Sequence, residues 1–401
     1  MATAAPDRVA HSPTVRVCLI YDCLYPWTVG GAERWMRSLA EALVAEGHDV
    51  TYLTRRQWGD ADRPQIPGVR VVAVSRTDAL YGGDGSRRVA PPLRFGVGVL
   101  RHLRAHPDDY DIVHTCAFPY FPLLAAGALR TRPLFVDWFE VWSKEYWRGY
   151  LGGVGGWVGW AVQRACARVP QQAFTFSDLH AARLLREGLR TTPVRLGGLY
   201  AGSTDPTAVE TERAPLVVFA GRHIPEKRVA AIPQAIALAR GRVPALRALI
   251  LGDGPERERT LRAIAEHGVG DCVEAPGFVE ADAVRAAIAA AACLLLPSQR
   301  EGYGMVVIEA AASGTPAVVA AGEDNAAVEL VVPGVNGVVA DSDTPRDLAD
   351  AIVAAIDGGA ELRASTAAWF AEHAAELTVA RSLEQVLAAY EQAAAVGPKG
   401  R

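Results

Sequence analysis

Short apolar runs alternate along the chain with longer segments of helical periodicity. Residues 16–21 (RVCLIY) are apolar and partly β-branched, which predicts a buried strand. In residues 31–50 (GAERWMRSLAEALVAEGHDV) apolar side chains recur at helical spacing, and Gly47 is a typical helix end signal. Residues 49–53 then return to strand character. Such a strand–helix–strand unit predicts a parallel sheet.

The same alternation continues along the rest of the chain. Further strands are predicted at 69–74, 111–114, 133–137, 173–176, 216–220, 246–251, 271–274, 293–296, 317–320 and 337–339. Helices predicted between the later strands include 230–239, 256–266, 281–291 and 347–356. Regular alternation of strands and helices is typical of doubly wound α/β domains.

A change of composition divides the chain. Residues 197–215 (GGLYAGSTDPTAVETERAP) are rich in Gly, Thr, Pro and charge, which is typical of a linker. We predict an α/β fold class with two Rossmann-like doubly wound domains facing across a cleft: an N-terminal domain over 1–205 and a second domain over 206–375. A helix in 376–401 is expected to pack back across both. Ligands of open α/β sheets bind beyond the carboxyl ends of the strands, so the architecture predicts a small-molecule site in the cleft.

Composition excludes several classes of protein. Of the 401 residues 50% are hydrophobic and 21% charged, as in globular domains, and a net charge of −4 provides no basic field for nucleic acid. The six cysteines show neither a C-x-x-C pair nor zinc-site spacing, so most are expected to be core residues in a reducing compartment. No signal peptide is evident, and the uncharged stretch 149–163 is too short and glycine-rich to span a bilayer. We expect a cytoplasmic monomer or homodimer.

Glycines follow two of the predicted strands. Gly30 and Gly31 precede the first helix, where backbone N–H groups can approach an anion, although a tight turn also requires glycine. Gly252 follows a later strand and allows the same two interpretations. Neither site has the G-x-G-x-x-G spacing of a dinucleotide fold. Asp253 and the D-S-D at 341–343 fit turns or helix caps better than metal ligands, so no metal is expected.

Cations follow the first strand of the second predicted domain. In 219–228 (FAGRHIPEKR), Gly221 loosens the turn and is followed by Arg222 and Lys227. An arginine fork and a lysine point charge at a strand end suit a diphosphate, although a solvated run of charge would look the same.

Two glutamates bracket an apolar stretch at 300–310 (REGYGMVVIEA). Helix signals begin near Met305, and free N–H groups at a helix start can bind a phosphate. Glu301 precedes that start and Glu309 lies about one turn inside it. Because an isolated buried carboxylate is costly, each glutamate must be paired or used. We predict that one reaches sugar hydroxyls and the other ribose hydroxyls; alternatively, Glu309 is a half-buried helix residue paired with an arginine.

Together these motifs resemble the GT-B fold retaining glycosyltransferases of family-four type, also called glycosyl transferases group 1. The resemblance rests on G-R-x-x-x-x-K (221–227), L-G-D-G-P (251–255), P-G-F-V (276–279), Glu-x7-Glu (301–309), S-G-T-P (313–316), E-L-V-x-x-G-x-N-G (329–337) and, in the N-terminal half, only the glycine pair and D-I-V-H (111–114). It implies a nucleotide-diphosphate sugar, UDP- or GDP-linked, as co-substrate, with no metal or other cofactor required.

The resemblance also implies roles for individual residues. The N-terminal domain would be acceptor-binding and the second domain would bind the donor. Arg222 and Lys227 would hold the diphosphate, Glu309 the ribose, and Glu301 the donor sugar near its anomeric carbon, while residues 276–279 would border the base. Attack would come from the same face as departure. The implied donor-binding set comprises Gly30, Gly31, Gly221, Gly252, Val279, Gly302, Tyr303, Gly304, Met305, Val306 and Glu309. The family often has H-x-H after the strand at 111–114 to contact the sugar. Here Cys116 stands where the second histidine would be, so it is open whether His114 or Cys116 faces the donor. The predicted catalytic residues are Arg222, Lys227, Glu301 and His114.

The acceptor side is predicted in an aromatic segment. Residues 134–160 hold five of the nine tryptophans, and Asp137, Trp138, Glu140 and Trp142 are the predicted acceptor contacts. The segment could equally lie on a membrane or pack in the core. The leading hypothesis is sugar transfer to a small soluble acceptor of the kind made in bacterial secondary metabolism. One alternative is transfer to a lipid-linked or envelope glycan at a membrane, although the few cations in this segment disfavour membrane contact. The other is a non-catalytic nucleotide-binding relative.

Overall fold

A computed structural model describes residues 14–59, 61–78, 88–129, 132–204 and 214–396. Residues 205–213 of the predicted linker, 197–215, lie outside this described part.

The first sheet has seven strands: β1 (Arg16–Ile20), β2 (Asp49–Arg55), β3 (Val69–Ser75), β4 (Ile112–Cys116), β5 (Leu134–Trp138), β6 (Gln172–Thr175) and β7 (Val194–Arg195). Their order is β3-β2-β1-β4-β5-β6-β7. The helices of this part are α1 (Gly31–Ala45), α2 (Ala90–Ala105), α3 (Tyr120–Leu129), α4 (Lys144–Leu151), α5 (Gly153–Ala167) and α6 (Asp178–Glu187).

The second sheet has six strands in the order β10-β9-β8-β11-β13-β15, and a small separate sheet joins β12 to β14. The strands are β8 (Leu216–Ala220), β9 (Arg247–Leu251), β10 (Val273–Gly277), β11 (Cys293–Leu296), β12 (Arg300–Glu301), β13 (Ala317–Ala320), β14 (Asp324–Asn325) and β15 (Gly337–Ala340). The helices are α7 (Ile232–Arg240), α8 (Arg257–Glu266), α9 (Ala281–Ala290), α10 (Met305–Ala312), α11 (Pro345–Asp357), α12 (Gly359–His373) and α13 (Val379–Val396), with 3₁₀ turns at Pro225–Lys227, Val229–Ala231 and Ala326–Leu330.

Both sheets confirm the prediction of two Rossmann-like α/β domains. Each places its first strand between its second and fourth, and the paired strands run parallel. Every predicted strand is present, although β10 begins and ends later than predicted. Strands such as β11 and β13 are buried on both faces because helices cover parallel sheets on both sides. All six cysteines are buried, which confirms that they are core residues.

By the proximity of its Cα atoms the chain forms two compact units. As far as they are described, one comprises Met1–Asp137, Val169–Ala173 and Leu383–Arg401, and the other Trp138–Arg168 and Phe174–Ser382. The aromatic segment from Trp138 onward therefore groups with the strands β8 to β15. The predicted domain division at 205/206 and 375/376 stays a prediction. Within the described residues, every helix lacks the combined length and apolarity needed to cross a bilayer.

Candidate active site

The loops that follow β8 and β9 contact each other through their backbones. The N–H of Gly221 donates to the carbonyl oxygen of Leu251 at 3.1 Å. Gly252 has a φ of +120°, and a Cβ at this position would overlap the carbonyl oxygen of Gly221. Close approach of two backbones thus explains why Gly252 must be glycine. The donor contacts predicted for Gly221 and Gly252 stay predictions.

The cations predicted to bind a diphosphate lie in the loop after β8. Arg222 is exposed directly beyond the strand, and Lys227 ends the 3₁₀ turn. Arg228 instead forms an ion pair with Asp343 at 2.7 Å. Arg222 and Lys227 are therefore the cations of this loop that best fit the predicted role.

Glu301 lies on β12 with its side chain largely buried, at 8% exposure. The ammonium of Lys227 forms an ion pair with its Oε1, and the hydroxyl of Ser298 donates to the same oxygen at 2.7 Å. A buried carboxylate needs such partners to offset its desolvation. The predicted diphosphate-binding lysine and the predicted sugar-binding glutamate are thus adjacent.

The turn from Gly302 to Met305 leads from β12 into α10. Gly302 approaches another segment closely, since a Cβ there would lie 2.6 Å from the carbonyl oxygen of Phe139. Tyr303 is buried, Gly304 occupies the N-cap with a φ of +96°, and no described side chain caps this helix start. An uncapped helix start directly after Glu301 is the arrangement expected for a phosphate site.

Glu309 lies in the second turn of α10 and is half-buried, as are Met305 and Val306. Burial raises the pKa of the nearby Tyr200 phenol, and the negative charge of Glu309 adds to that effect. The charge of Glu309 is therefore close enough to Tyr200 to act on its phenol. Its predicted contact with a ribose stays a prediction.

The P-G-F-V motif follows β10. Val279, the predicted neighbour of the base, is half-buried, whereas Phe278 beside it is 73% exposed. An exposed aromatic ring suits stacking on a nucleobase better than an aliphatic side chain does.

His114 and Asp137 bind each other inside the first compact unit. His114 Nε2 lies 3.0 Å from Asp137 Oδ1, and His114 Nδ1 lies 2.6 Å from the hydroxyl of Tyr390. Trp35 Nε1 donates to Asp137 Oδ2 at 2.7 Å. Both side chains are fully buried, and so is Cys116, whose thiol pKa burial raises well above its usual value. This bonding supports a structural role for the pair; the catalytic role of His114 and the acceptor contact of Asp137 stay predictions.

The glycine pair at the start of α1 is accompanied by a carboxylate. Gly30 is the N-cap with extended backbone, Gly31 is the first helical residue, and Glu33 lies in the first turn. The carboxylate of Glu33 covers the position where a side chain on Gly30 would begin. A negative group already at this helix start makes it less attractive to a second anion than the start of α10 is.

The aromatic segment divides into buried and exposed parts. Trp138, Trp142 and Trp147 are buried, which supports the interpretation that they pack in the core. Trp157 on α5 is 57% exposed. The indole of Trp160 lies beneath the ammonium of Lys144, 4.9 Å from the ring centroid.

Glu140 and Trp142, two predicted acceptor residues, contact the strand that carries Glu301. The guanidinium of Arg300 lies 4.6 Å from the Trp142 ring and 4.7 Å from the Tyr146 ring. It forms ion pairs with Glu140 and with Glu226, the latter at 3.1 Å. Trp142 Nε1 donates to Glu140 and the Tyr146 hydroxyl donates to Glu226, each at 2.7 Å.

A buried ion pair attaches the start of α4 to the small sheet. Asp324 on β14 pairs with Arg183 and accepts hydrogen bonds from the N–H and hydroxyl of Ser143 at 3.1 and 2.8 Å. Ser143 Oγ in turn caps α4 by accepting from the N–H of Tyr146 at 3.0 Å. Because β14 pairs with β12, the aromatic segment and Glu301 are held in one bonded framework.

Comparison with known proteins decides the family. Residues 205–368 match the family described as glycosyl transferases group 1, and residues 30–197 match the glycosyl transferase 4-like domain. A D-inositol 3-phosphate glycosyltransferase from Mycolicibacterium smegmatis is 33% identical, over 91% of this chain and 86% of that protein. The chain belongs to the group 1 glycosyltransferases. It is therefore a retaining enzyme that transfers a sugar from a nucleotide sugar.

Other relatives of this glycosyltransferase agree in family and fold. A glycogen synthase from Mycobacterium tuberculosis is 27% identical over 81% of each chain. A sucrose-phosphate synthase from Thermosynechococcus elongatus superimposes with a TM-score of 0.73 at 19% identity, covering 96% of this chain and all of that one. Anabaena HepE in complex with UDP and glucose gives 0.69 at 18% identity, covering 94% and 99%. The GT-B fold is thus confirmed.

Sequence reasoning predicted the segment 276–279, which includes Phe278, beside the base, but it missed Arg300. Arg300 precedes Glu301, but no local pattern indicates which carboxylates it meets, because both are distant in sequence.

Proposed function

We propose that this glycosyltransferase moves a sugar from a UDP- or GDP-linked donor to a small hydroxyl-bearing acceptor of the kind found in bacterial secondary metabolism, without a metal ion. The observation that carries the donor half is the Lys227–Glu301 pair beside the uncapped start of α10. A UDP donor is also supported by the similarly folded Anabaena HepE, whose structure holds UDP and glucose.

Departure of the nucleotide diphosphate builds negative charge on its terminal phosphate. Arg222, Lys227 and the N–H groups at the start of α10 are proposed to stabilise that charge, since fixed donors do so without reorganising. The adjacency of Lys227 to Glu301 supports this proposal. These groups provide the neutralisation that Mg²⁺ supplies in other transferases, so the proposed reaction needs no metal.

Glu301 is proposed to contact hydroxyls of the donor sugar near its anomeric carbon. Ser298 and Lys227 hold its carboxylate in one orientation. When the diphosphate pairs with the ammonium of Lys227, the carboxylate of Glu301 is less fully neutralised. It can then stabilise the positive charge that develops on the sugar. Glu309, one turn into α10, is proposed to bind the ribose hydroxyls.

The nucleotide is tested by thermal-shift measurements with UDP, GDP, ADP and TDP. A nucleotide that binds the folded state raises the melting temperature, and the proposal expects UDP or GDP to give the largest increase. Transfer activity should persist in EDTA. Loss of activity that Mg²⁺ restores would contradict the metal-free proposal, and tight nucleotide binding without hydrolysis or transfer would favour a non-catalytic relative.

An exposed apolar face favours a second candidate, transfer to a lipid-linked acceptor. The exposed large apolar residues include Tyr150 and Leu151 on α4 and Val154, Trp157 and Val158 on α5. Val154 is 82% exposed. Between residues 146 and 177 the chain carries Arg148, Arg164 and Arg168 but no acidic residue. Exposed aromatic and aliphatic side chains suit the surface of a membrane. Arg148 and Arg168 are cations close to them along the chain, whereas Arg164 pairs with Glu187 at 3.2 Å.

Flotation with anionic and neutral liposomes separates the two candidates. Binding to anionic vesicles that is lost in a Val154→Ser/Trp157→Ser variant, but kept in the matched surface variant Leu238→Ser, would favour the lipid-linked acceptor. Absence of flotation would favour the soluble acceptor.

A further inference from the structure

Two neighbouring ion pairs join the 3₁₀ turn after β8 to strand β12. Glu226 pairs with Arg300 at 3.1 Å, and Lys227 pairs with Glu301. The N–H of Gln299 donates to the carbonyl oxygen of Glu226 at 2.9 Å, which holds the turn and the strand in register. In the turn the acidic residue precedes the basic one, and in β12 the basic residue precedes the acidic one. Each carboxylate therefore faces a cation on the other segment.

Arg300 serves two carboxylates at once. Its side chain is 12% exposed and pairs with both Glu140 and Glu226, which are themselves half-buried. One guanidinium between two carboxylates leaves one negative charge uncompensated, so losing the guanidinium would leave two. Glu226 directly precedes Lys227 along the chain, and the side chain of Glu140 lies against Gly302, next to Glu301.

We propose that Arg300 is a positioning residue for donor binding. By pairing with Glu226 and Glu140 and compensating one of their two negative charges, it leaves the ammonium of Lys227 to Glu301 and to the diphosphate of the donor. The inference rests on the proposed function, because the diphosphate at Lys227 is part of that proposal.

The surroundings of Arg300 select arginine over lysine. Its planar fork reaches Glu140 on one side and Glu226 on the other, while the rings of Trp142 and Tyr146 stack near its faces. A lysine at this position keeps the charge but cannot bridge both carboxylates in one plane. Arg300 therefore also links the aromatic segment to the strand that carries Glu301.

The test is the dissociation constant of UDP and of GDP, measured by calorimetry with the full chain. R300M is expected to weaken binding of the preferred nucleotide by about tenfold, the size expected for one uncompensated charge close to an anion site. The double variant R300M/E226Q removes the excess carboxylate and should recover most of the loss. R300K should lie between the wild type and R300M, and E226Q alone should bind at least as tightly as the wild type.

The matched control is R285M, which removes an exposed arginine paired with Asp282 and should leave binding unchanged. The inference would be overturned if R300M bound the nucleotide with the affinity of the wild type, or if R300M and R300M/E226Q bound it equally weakly. It would also be overturned if R285M weakened binding as much as R300M does. Should R300M fail to fold, weaker binding by E226Q than by the wild type would overturn it as well. Failure of the wild type to bind any nucleotide would instead overturn the proposed function, and this inference with it.

Discussion

Lys227 and Glu301 show how the chain keeps charge in an apolar surrounding. Neither is fully exposed, and each is the counter-charge of the other. Removing one partner of such a pair leaves the other uncompensated. The same pairing keeps the ammonium close to the predicted diphosphate position, so stability and donor binding depend on one contact.

Lys227→Ala is expected to lower turnover by about 10² or more, because the leaving diphosphate loses a fixed positive charge. The measurement is kcat under saturating donor and acceptor. Arg247→Ala, which removes an exposed arginine paired with Glu274, serves as the control and should keep its turnover. Near-normal turnover in Lys227→Ala would refute the assignment.

His180 makes stability depend on pH. Burial, followed by the positive charge of Arg183, lowers its pKa from 6.5 to about 4. The unfolded chain therefore binds more protons than the folded one between these values. The contribution of His180 to stability is complete above pH 6.5 and is lost as pH falls towards 4.

His180→Asn should consequently flatten the fall of the unfolding free energy between pH 6.5 and 4, by up to about 3 kcal/mol across that range. Asparagine is chosen because its carbonyl oxygen can replace the ring nitrogen that accepts from the N–H of Val141. Urea titrations at several pH values give the slope. As a control, His267→Asn at an exposed position should leave this slope unchanged. Equal slopes for His180→Asn and the wild type would contradict the prediction.

At the scale of elements, the candidate site is built from segments that follow strands. The loops after β8 and β9 touch through Gly221 and Gly252, and the turn after β12 opens α10. Their positions are set by backbone contacts that leave no room for side chains. Small changes in these loops should therefore alter stability more than most surface substitutions do.

Gly252→Ala is expected to destabilise the fold by about 2 kcal/mol or more, since it adds a side chain at positive φ and against the carbonyl oxygen of Gly221. Gly270→Ala is the matched control, because its nearest neighbour would lie 3.9 Å away. Urea-induced unfolding measures both. A small and equal effect of the two substitutions would show that the close approach is not maintained in solution.

At the scale of the whole molecule, the compact unit that carries Glu301 also contains residues 138–168, which include the aromatic segment from Trp138 onward. Arg300 and Asp324 bond to that segment, so ordering the donor motif should also order α4. Binding of a nucleotide to a folded unit lowers the population of its locally opened states.

Hydrogen exchange with and without the preferred nucleotide tests this coupling. Slower exchange is expected both in 299–309 and in 143–150. An exposed helix of the same unit, α9, is the internal control and should change less. Protection confined to 299–309, with 143–150 unaffected, would contradict the coupling.

Local pattern was sufficient for much of the fold. Buried parallel strands are short apolar runs, and helices repeat with a period that a single segment displays, so every predicted strand was found. Short elements were missed: β7, β12 and β14 have two residues each, too few to show a period. The helices α2 to α6 and α12 were not predicted individually; in α4 and α5, glycine and tryptophan obscure the pattern.

The sequence by itself determined the α/β class, the succession of strands along the chain and the glycosyltransferase motifs, because each depends on residues that are close along the chain. Only the tertiary structure decided which charges meet. His114 bonds to Tyr390, 276 positions away, and Arg300 pairs with Glu140 across 160 positions. No local pattern encodes such partners, since desolvation and pairing depend on which distant segments pack together. For that reason Glu301 was recognised from its motif, while its support by Lys227 and the role inferred for Arg300 emerged from the folded chain.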